Sequence, residues 1–157
     1  MIAGINKGEA DILDIQYTDL DMEDTEPETA EMLHRNKVNL AKVESNSGGR
    51  GFARNVKRLL WETHTDRNVD VSWFHQSENK IARILVGATF IMNHFYFLAD
   101  WKTRFPGYHN SMTTYHAKGK NKFSDAPDAT TGLSEMINLP IQEDQEVYNN
   151  KDELGIF

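Results

Sequence analysis

Glu44 ends an apolar-rich run, with Val38, Leu40 and Val43 before it, and the chain then bends through Ser45-Asn46-Ser47-Gly48-Gly49. A carboxylate at that point projects from the end of a strand, the usual place for sites in open α/β sheets. Far downstream, Asp125 and Asp128 open a helix behind the basic loop 117–123. Hard cations such as Mg²⁺ or Mn²⁺ are held by carboxylate oxygens of this kind, two or three at a time. A pair of such ions can clamp the attacking and leaving oxygens of a phosphodiester. Arg50, Arg54, Lys118, Lys120 and Lys122 flank these acids and would hold phosphates. The same residues also have a plain reading. Aspartates at a helix start act as caps, and a strand-end glutamate beside a turn is simply solvated.

The elements that must position these groups follow from pattern. Ile12, Leu13, Ile15 and Tyr17 predict a strand, with Lys7-Gly8-Glu9 as the turn before it and Met1 to Gly4 as a truncated hairpin arm. Thr25 is the expected cap of a short helix with Pro27 in its first turn, ending near Asn36. Residues 38–44 then form a strand. A strand–helix–strand unit normally means parallel neighbours. After Gly49, Phe52, Val56, Leu59 and Leu60 recur at helical spacing, which leaves Arg50, Arg54, Lys57 and Arg58 on the opposite face. That face is either a solvated helix face or a DNA track, and its place beside Glu44 favours DNA.

Val69, Val71 and Trp73 alternate as another strand. Ser77 is the expected cap of a helix with Ile81, Ile84, Leu85 and Ala88 as its apolar face. Residues 90–98 end that helix or make an edge strand. Asp100 to Pro106 reads as a turn, Tyr108 to His116 as a short helix, and the last helix runs from Ser124 or Asp125 to about Met136. The stretch 1–139 is one domain, and 140–157 reads as an acidic, flexible tail.

Composition limits the function classes. A net charge of −7 in 157 residues excludes a generally basic nucleic-acid binder, though not a local basic face. The absence of cysteine removes disulfides, thiolate zinc sites and cysteine nucleophiles. No apolar run approaches the ~20 residues that span a bilayer, so no membrane partner is expected. The six histidines lack metal-ligand spacing, and His116, nearest the acidic cluster, reads as a surface residue. Trp61, Trp73 and Trp101 read as core or interface, and Asp19, Asp21, Glu23 and Asp24 as a solvated acidic loop.

Val43-Glu44-Ser45-Asn46-Ser47-Gly48-Gly49-Arg50 with Phe52-Ala53-Arg54, and Ser124-Asp125-Ala126-Pro127-Asp128-Ala129 with Gly132, resemble the C-terminal nuclease domain of tailed-phage large terminases. The order between them is also similar: Lys80 and Arg83 on a helix, Trp101, Phe105-Pro106, Tyr115, then Lys118-Gly119-Lys120-Asn121. The resemblance covers about residues 4 to 136. It implies a ribonuclease-H-like α/β fold, a mixed sheet flanked by helices, and here N-terminally truncated. It further implies an endonuclease that cuts concatemeric double-stranded DNA with two Mg²⁺ or Mn²⁺ ions during viral genome packaging in the host cytoplasm. The implied partners are a portal protein, a small terminase subunit and an upstream ATPase domain. By resemblance Glu44, Asp125 and Asp128 are the catalytic and metal-binding acids, and Arg50, Arg54, Lys118, Lys120 and Lys122 bind DNA.

Three departures stand out. Ser124 lies where many relatives carry Asp or His. The family's first catalytic aspartate sits on a strand that would precede the one at residues 11–18, so the metal site is expected to lack one ligand. Asp11 and Asp14 do not match that position. No Gly-x-x-x-x-Gly-Lys-Ser/Thr phosphate loop occurs. A non-catalytic remnant or packaging-motor docking module of the same fold is the alternative, and a bare sheet edge predicts a chain prone to association.

Overall fold

A two-residue turn at Lys7-Gly8, both with positive φ (50° and 84°), joins β1 (Ile2–Asn6) to β2 (Glu9–Asp14) as an antiparallel hairpin. Positive φ at both turn residues matches the right-handed twist of the flanking strands, which is why a glycine stands at the second position. The computed structural model describes residues 1–116, 118, 121 and 123–138. Lys120, Lys122 and the stretch 140–157 lie outside the described residues.

The described chain is α/β, with six helices, a small mixed sheet and a separate parallel pair of strands. β2 alternates strictly, burying Ala10, Ile12 and Asp14. Its second edge takes β5 (Phe95–Tyr96) in parallel, through Ala10↔Phe95 and Asp11↔Tyr96, for the order β1-β2-β5. β3 (Leu40–Glu44) pairs in parallel with β4 (Asp70–Phe74), from Leu40↔Asp70 to Glu44↔Phe74. The expected pairing of the strands on either side of the first helix therefore does not form. Both edges of β2 are already taken, so α1 (Met22–Arg35) carries the chain from one sheet to the other. The parallel crossover is instead β3–α2–β4, with α2 spanning Gly49–His64.

Two hydrophobic clusters result. One joins Ala30 and Leu33 of α1, Val56 and Leu60 of α2, and Val71 of β4, and it includes Ile2 of β1. The other joins Ala10 and Ile12 of β2 to Phe95, Tyr108 and Ala126, with Phe90, Trp101 and Phe105 against them. The β1–β2 hairpin thus contributes to both.

Several element limits differ from the pattern-based expectation. α1 begins at Met22, with Glu23 and Asp24 in its first turn, so Thr25 and Pro27 lie inside it. Acidic side chains at the positive helix end favour that earlier start, and the Thr25 hydroxyl donates to the Asp21 carbonyl instead of capping. α3 (Lys80–His94) is capped by Asn79, whose Oδ1 accepts from the Ala82 amide at 3.1 Å, and not by Ser77. It ends directly in β5, so the 90–98 stretch is both helix end and edge strand. Its buried side carries Arg83 and Ile84, while Ile81, Leu85, Val86 and Met92 of its apolar set are exposed. A single helical turn, α4 (Trp101–Arg104), precedes α5 (Pro106–Thr113), where proline opens the helix. α6 (Asp125–Asn138) closes the described chain, with Asp125 and Asp128 in its first turn.

Candidate functional site

The bend after Glu44 requires both glycines. Gly48 has φ 97°, and a Cβ on Gly49 would be driven into the Glu44 carbonyl oxygen. The Ser45 amide donates to the Phe74 carbonyl at 2.7 Å, extending the β3–β4 register by one bond. Asn46 then reaches back: its Nδ2 donates to Glu44 Oε1 at 2.7 Å and to the Gln76 carbonyl at 3.0 Å. Glu44 is exposed, but its carboxylate is oriented by a neighbour that is itself tied to the segment leading into α3.

The other acids meet α3. Lys80 Nζ lies 2.8 Å from Asp125 Oδ1 and 3.4 Å from Asp128 Oδ2. One turn on, Arg83 donates to Asp128 Oδ1 at 2.9 Å and, through Nε and Nη2, to both carboxylate oxygens of Glu135 at 2.9 Å each. That fork-on-fork geometry suits a buried guanidinium. Gly87 allows it, because the helices come so close that a Cβ there would press on Thr131 and Ser134. The Arg83 guanidinium is held above its ordinary pKa by the Glu135 bonds, against the effect of burial, with Asp128 and Glu44 adding to it. Burial acts to lower the Lys80 ammonium, but Asp125 and Asp128 outweigh it and raise its pKa.

Asp125 and Asp128 are therefore bonded to the two cations of α3, whereas Glu44 is bonded to Asn46 and acts on Arg83 only through its charge. Glu135 belongs to the same cluster and was not singled out from the sequence. The sequence shows only that Asp128 and Glu135 are spaced i, i+7 on one face of α6, not which cation they meet. Among the described residues, no three His, Cys, Asp or Glu side chains gather so as to hold a metal ion. Asp125, Asp128 and Glu135 are instead seated on an ammonium and a guanidinium. A divalent ion would need the Lys80 ammonium withdrawn and a further ligand supplied.

The basic residues divide. Arg50 and Arg54 stand over the Trp73 ring, 5.7 and 5.6 Å from its centroid. Trp73 is not core: it is 41% exposed. Trp61 is 43% exposed, with Arg67 at 3.5 Å from its ring centroid. Trp101, by contrast, stacks on Phe97 within the second cluster. Lys118 is exposed. His116 also stays on the surface, its amide and carbonyl both bonded to the Asn121 side chain at 2.8 and 2.9 Å.

Asp14 is buried on β2 and bonded by Arg35 at 2.7 Å and Asn36 at 3.3 Å. Burial acts to raise its carboxyl, but those bonds and the Ile15 amide hold it below its ordinary pKa. It serves the fold. A cavity of about 490 Å³, lined in part by His34, Asn39, Asp66 and Asn68, lies at the opposite strand ends from Glu44. Compared with known proteins, the chain matches no family model, and no curated protein or solved structure is significantly similar to it.

Proposed function

We propose that this domain is a divalent-metal-dependent DNA endonuclease of the large-terminase kind, acting on concatemeric double-stranded DNA during packaging in the host cytoplasm. The observation that carries the reading is the pairing of Asp125 and Asp128 with Lys80 and Arg83 of α3, the helix whose preceding segment is tied through Asn46 to Glu44 at the strand end. In this reading Glu44 and Asp125 bind Mg²⁺ or Mn²⁺, and Asp128 supports one ion. Arg50, Arg54, Lys118, Lys120 and Lys122 engage the DNA backbone. A portal protein, a small terminase subunit and an ATPase domain are its partners.

A ribonuclease-H-like sheet is part of the same proposal. The β1–β2 hairpin and the β3–β4 pair share a core without pairing to each other, so a ribonuclease-H-like sheet would join them only through a further strand. The reading therefore requires a strand bearing another carboxylate to lie between β1 and β3. Mn²⁺-dependent nicking of supercoiled plasmid tests it. The expected result is little nicking by the chain alone and nicking once an upstream segment is supplied, abolished by Glu44→Ala. Nicking that survives Glu44→Ala would overturn the site.

A second reading, a docking module of the same fold that does not cut, is favoured by one feature. Lys80 and Arg83 already neutralise Asp125, Asp128 and Glu135. Its signature is DNA or portal binding with no nicking under any metal or upstream segment.

A further inference from the structure

Arg50, Arg54, Lys57 and Trp61 fall within about 60° of arc on α2, on a flank roughly 100° round from the centre of its buried Ala53, Val56 and Leu60. All four are exposed. The stripe is extended at both ends by residues from outside the helix. Trp73 of β4 lies under Arg50 and Arg54, and Arg67 lies on Trp61. From Arg50 to Trp61 the track spans twelve residues, about 16 Å long. Arg58 beside it is neutralised by Glu62 at 2.5 Å. On a chain of net charge −7, this is a concentrated positive strip with a half-open tryptophan at each end.

Cations alone would suit any polyanion. Exposed tryptophans at both ends ask for a ligand that also offers flat apolar faces at intervals along an anionic backbone. Single-stranded nucleic acid has both, whereas a duplex keeps its base faces stacked inside. We propose that the α2 stripe is a single-strand DNA track, with Trp73 and Trp61 as stacking platforms for bases about two to three nucleotides apart, and with Arg50, Arg54, Lys57 and Arg67 on the phosphates. It rests on the endonuclease reading only in taking DNA as the polyanion. The strand end at Glu44 leads directly into α2, so the track would hold a strand unpaired next to the candidate site.

The test is fluorescence anisotropy with a short labelled oligothymidine and a duplex of the same length, in EDTA, so that metal and cutting play no part. The wild type should prefer the single strand. Trp73→Ala and Trp61→Ala should each weaken binding at least about fivefold, with Trp73→Phe and Trp61→Phe restoring most of it. Arg54→Ala should reduce the slope of log affinity against log salt by roughly 0.7. In a Trp101→Phe background, oligothymidine should quench the remaining tryptophan emission, a readout that does not depend on alanine variants folding. Tighter duplex binding, unquenched emission, or alanine variants that bind like wild type would overturn the track. Metal-dependent nicking with no effect of the tryptophans would leave the nuclease reading standing and remove this one; quenching and single-strand binding with no nicking even when an upstream segment is supplied would do the reverse.

Discussion

Gly49 and Gly51 stand two residues apart at the start of α2 and should respond oppositely to the same change. A Cβ on Gly49 meets the Glu44 carbonyl, whereas one on Gly51 meets nothing within 4 Å. Gly49→Ala should therefore cost about 1–3 kcal/mol as the backbone is pushed aside. Gly51→Ala should gain roughly 0.5–1 kcal/mol from helix propensity. Urea melts of the two variants check this, and a neutral Gly49→Ala would mean the bend is looser than described. Lys80 offers a second residue-level experiment. Its ammonium is the cation seated between Asp125 and Asp128. Under the nuclease reading Lys80→Met should tighten Mn²⁺ binding, read by titration calorimetry, and Lys80→Arg should not. Because the folded Lys80 pKa is raised, its contribution to stability is complete below the unfolded lysine value and fades only as pH rises through the folded one. The contact therefore holds through the neutral range.

At the scale of elements, α3 shows how a periodic pattern can be read correctly as a helix and yet be assigned the wrong face. Ile81, Ile84, Leu85 and Ala88 are at helical spacing, and the helix forms. It buries Ile84, and it buries Arg83 against α6, because the Asp128 and Glu135 carboxylates there satisfy the guanidinium. An arginine with two carboxylate partners can be buried where a bare one cannot. Val86 and Met92, each 83% exposed, are consequently left in solvent. Val86→Glu should leave the melting free energy within about 0.5 kcal/mol of wild type, as surface changes do. Asn79→Ala, at the start of the same helix, should cost about 1 kcal/mol through loss of its cap bond. Thermal melts of both variants place the two effects side by side.

For the whole molecule, the decisive feature is the division of the strands into a three-stranded sheet and a parallel pair. Each carries unpaired edges, and unpaired edges recruit other chains. The isolated chain should associate in a concentration-dependent way by light scattering; a monomer that melts cooperatively at every concentration would count against that. Acid should also weaken it. The Asp14 carboxyl is depressed by Arg35, Asn36 and the Ile15 amide despite burial. Its contribution is thus present above the unfolded aspartate value of about 3.9 and lost as pH falls through the folded value. Asp14→Asn should flatten that acid limb in stability measurements.

The sequence by itself determined what is local. The hairpin turn at Lys7-Gly8, the Gly48-Gly49 bend, the α2 periodicity and the aspartates at the start of α6 are all set by backbone sterics and spacing within a few residues. Only the tertiary structure decided which strands pair, that Arg83 is buried with Glu135, and that Trp61 and Trp73 are half-open beside arginines. The reason is range. A strand's partner and a helix's buried face are chosen by competition among surfaces that meet only in the folded chain, and no residue's own pattern records its neighbour across that distance.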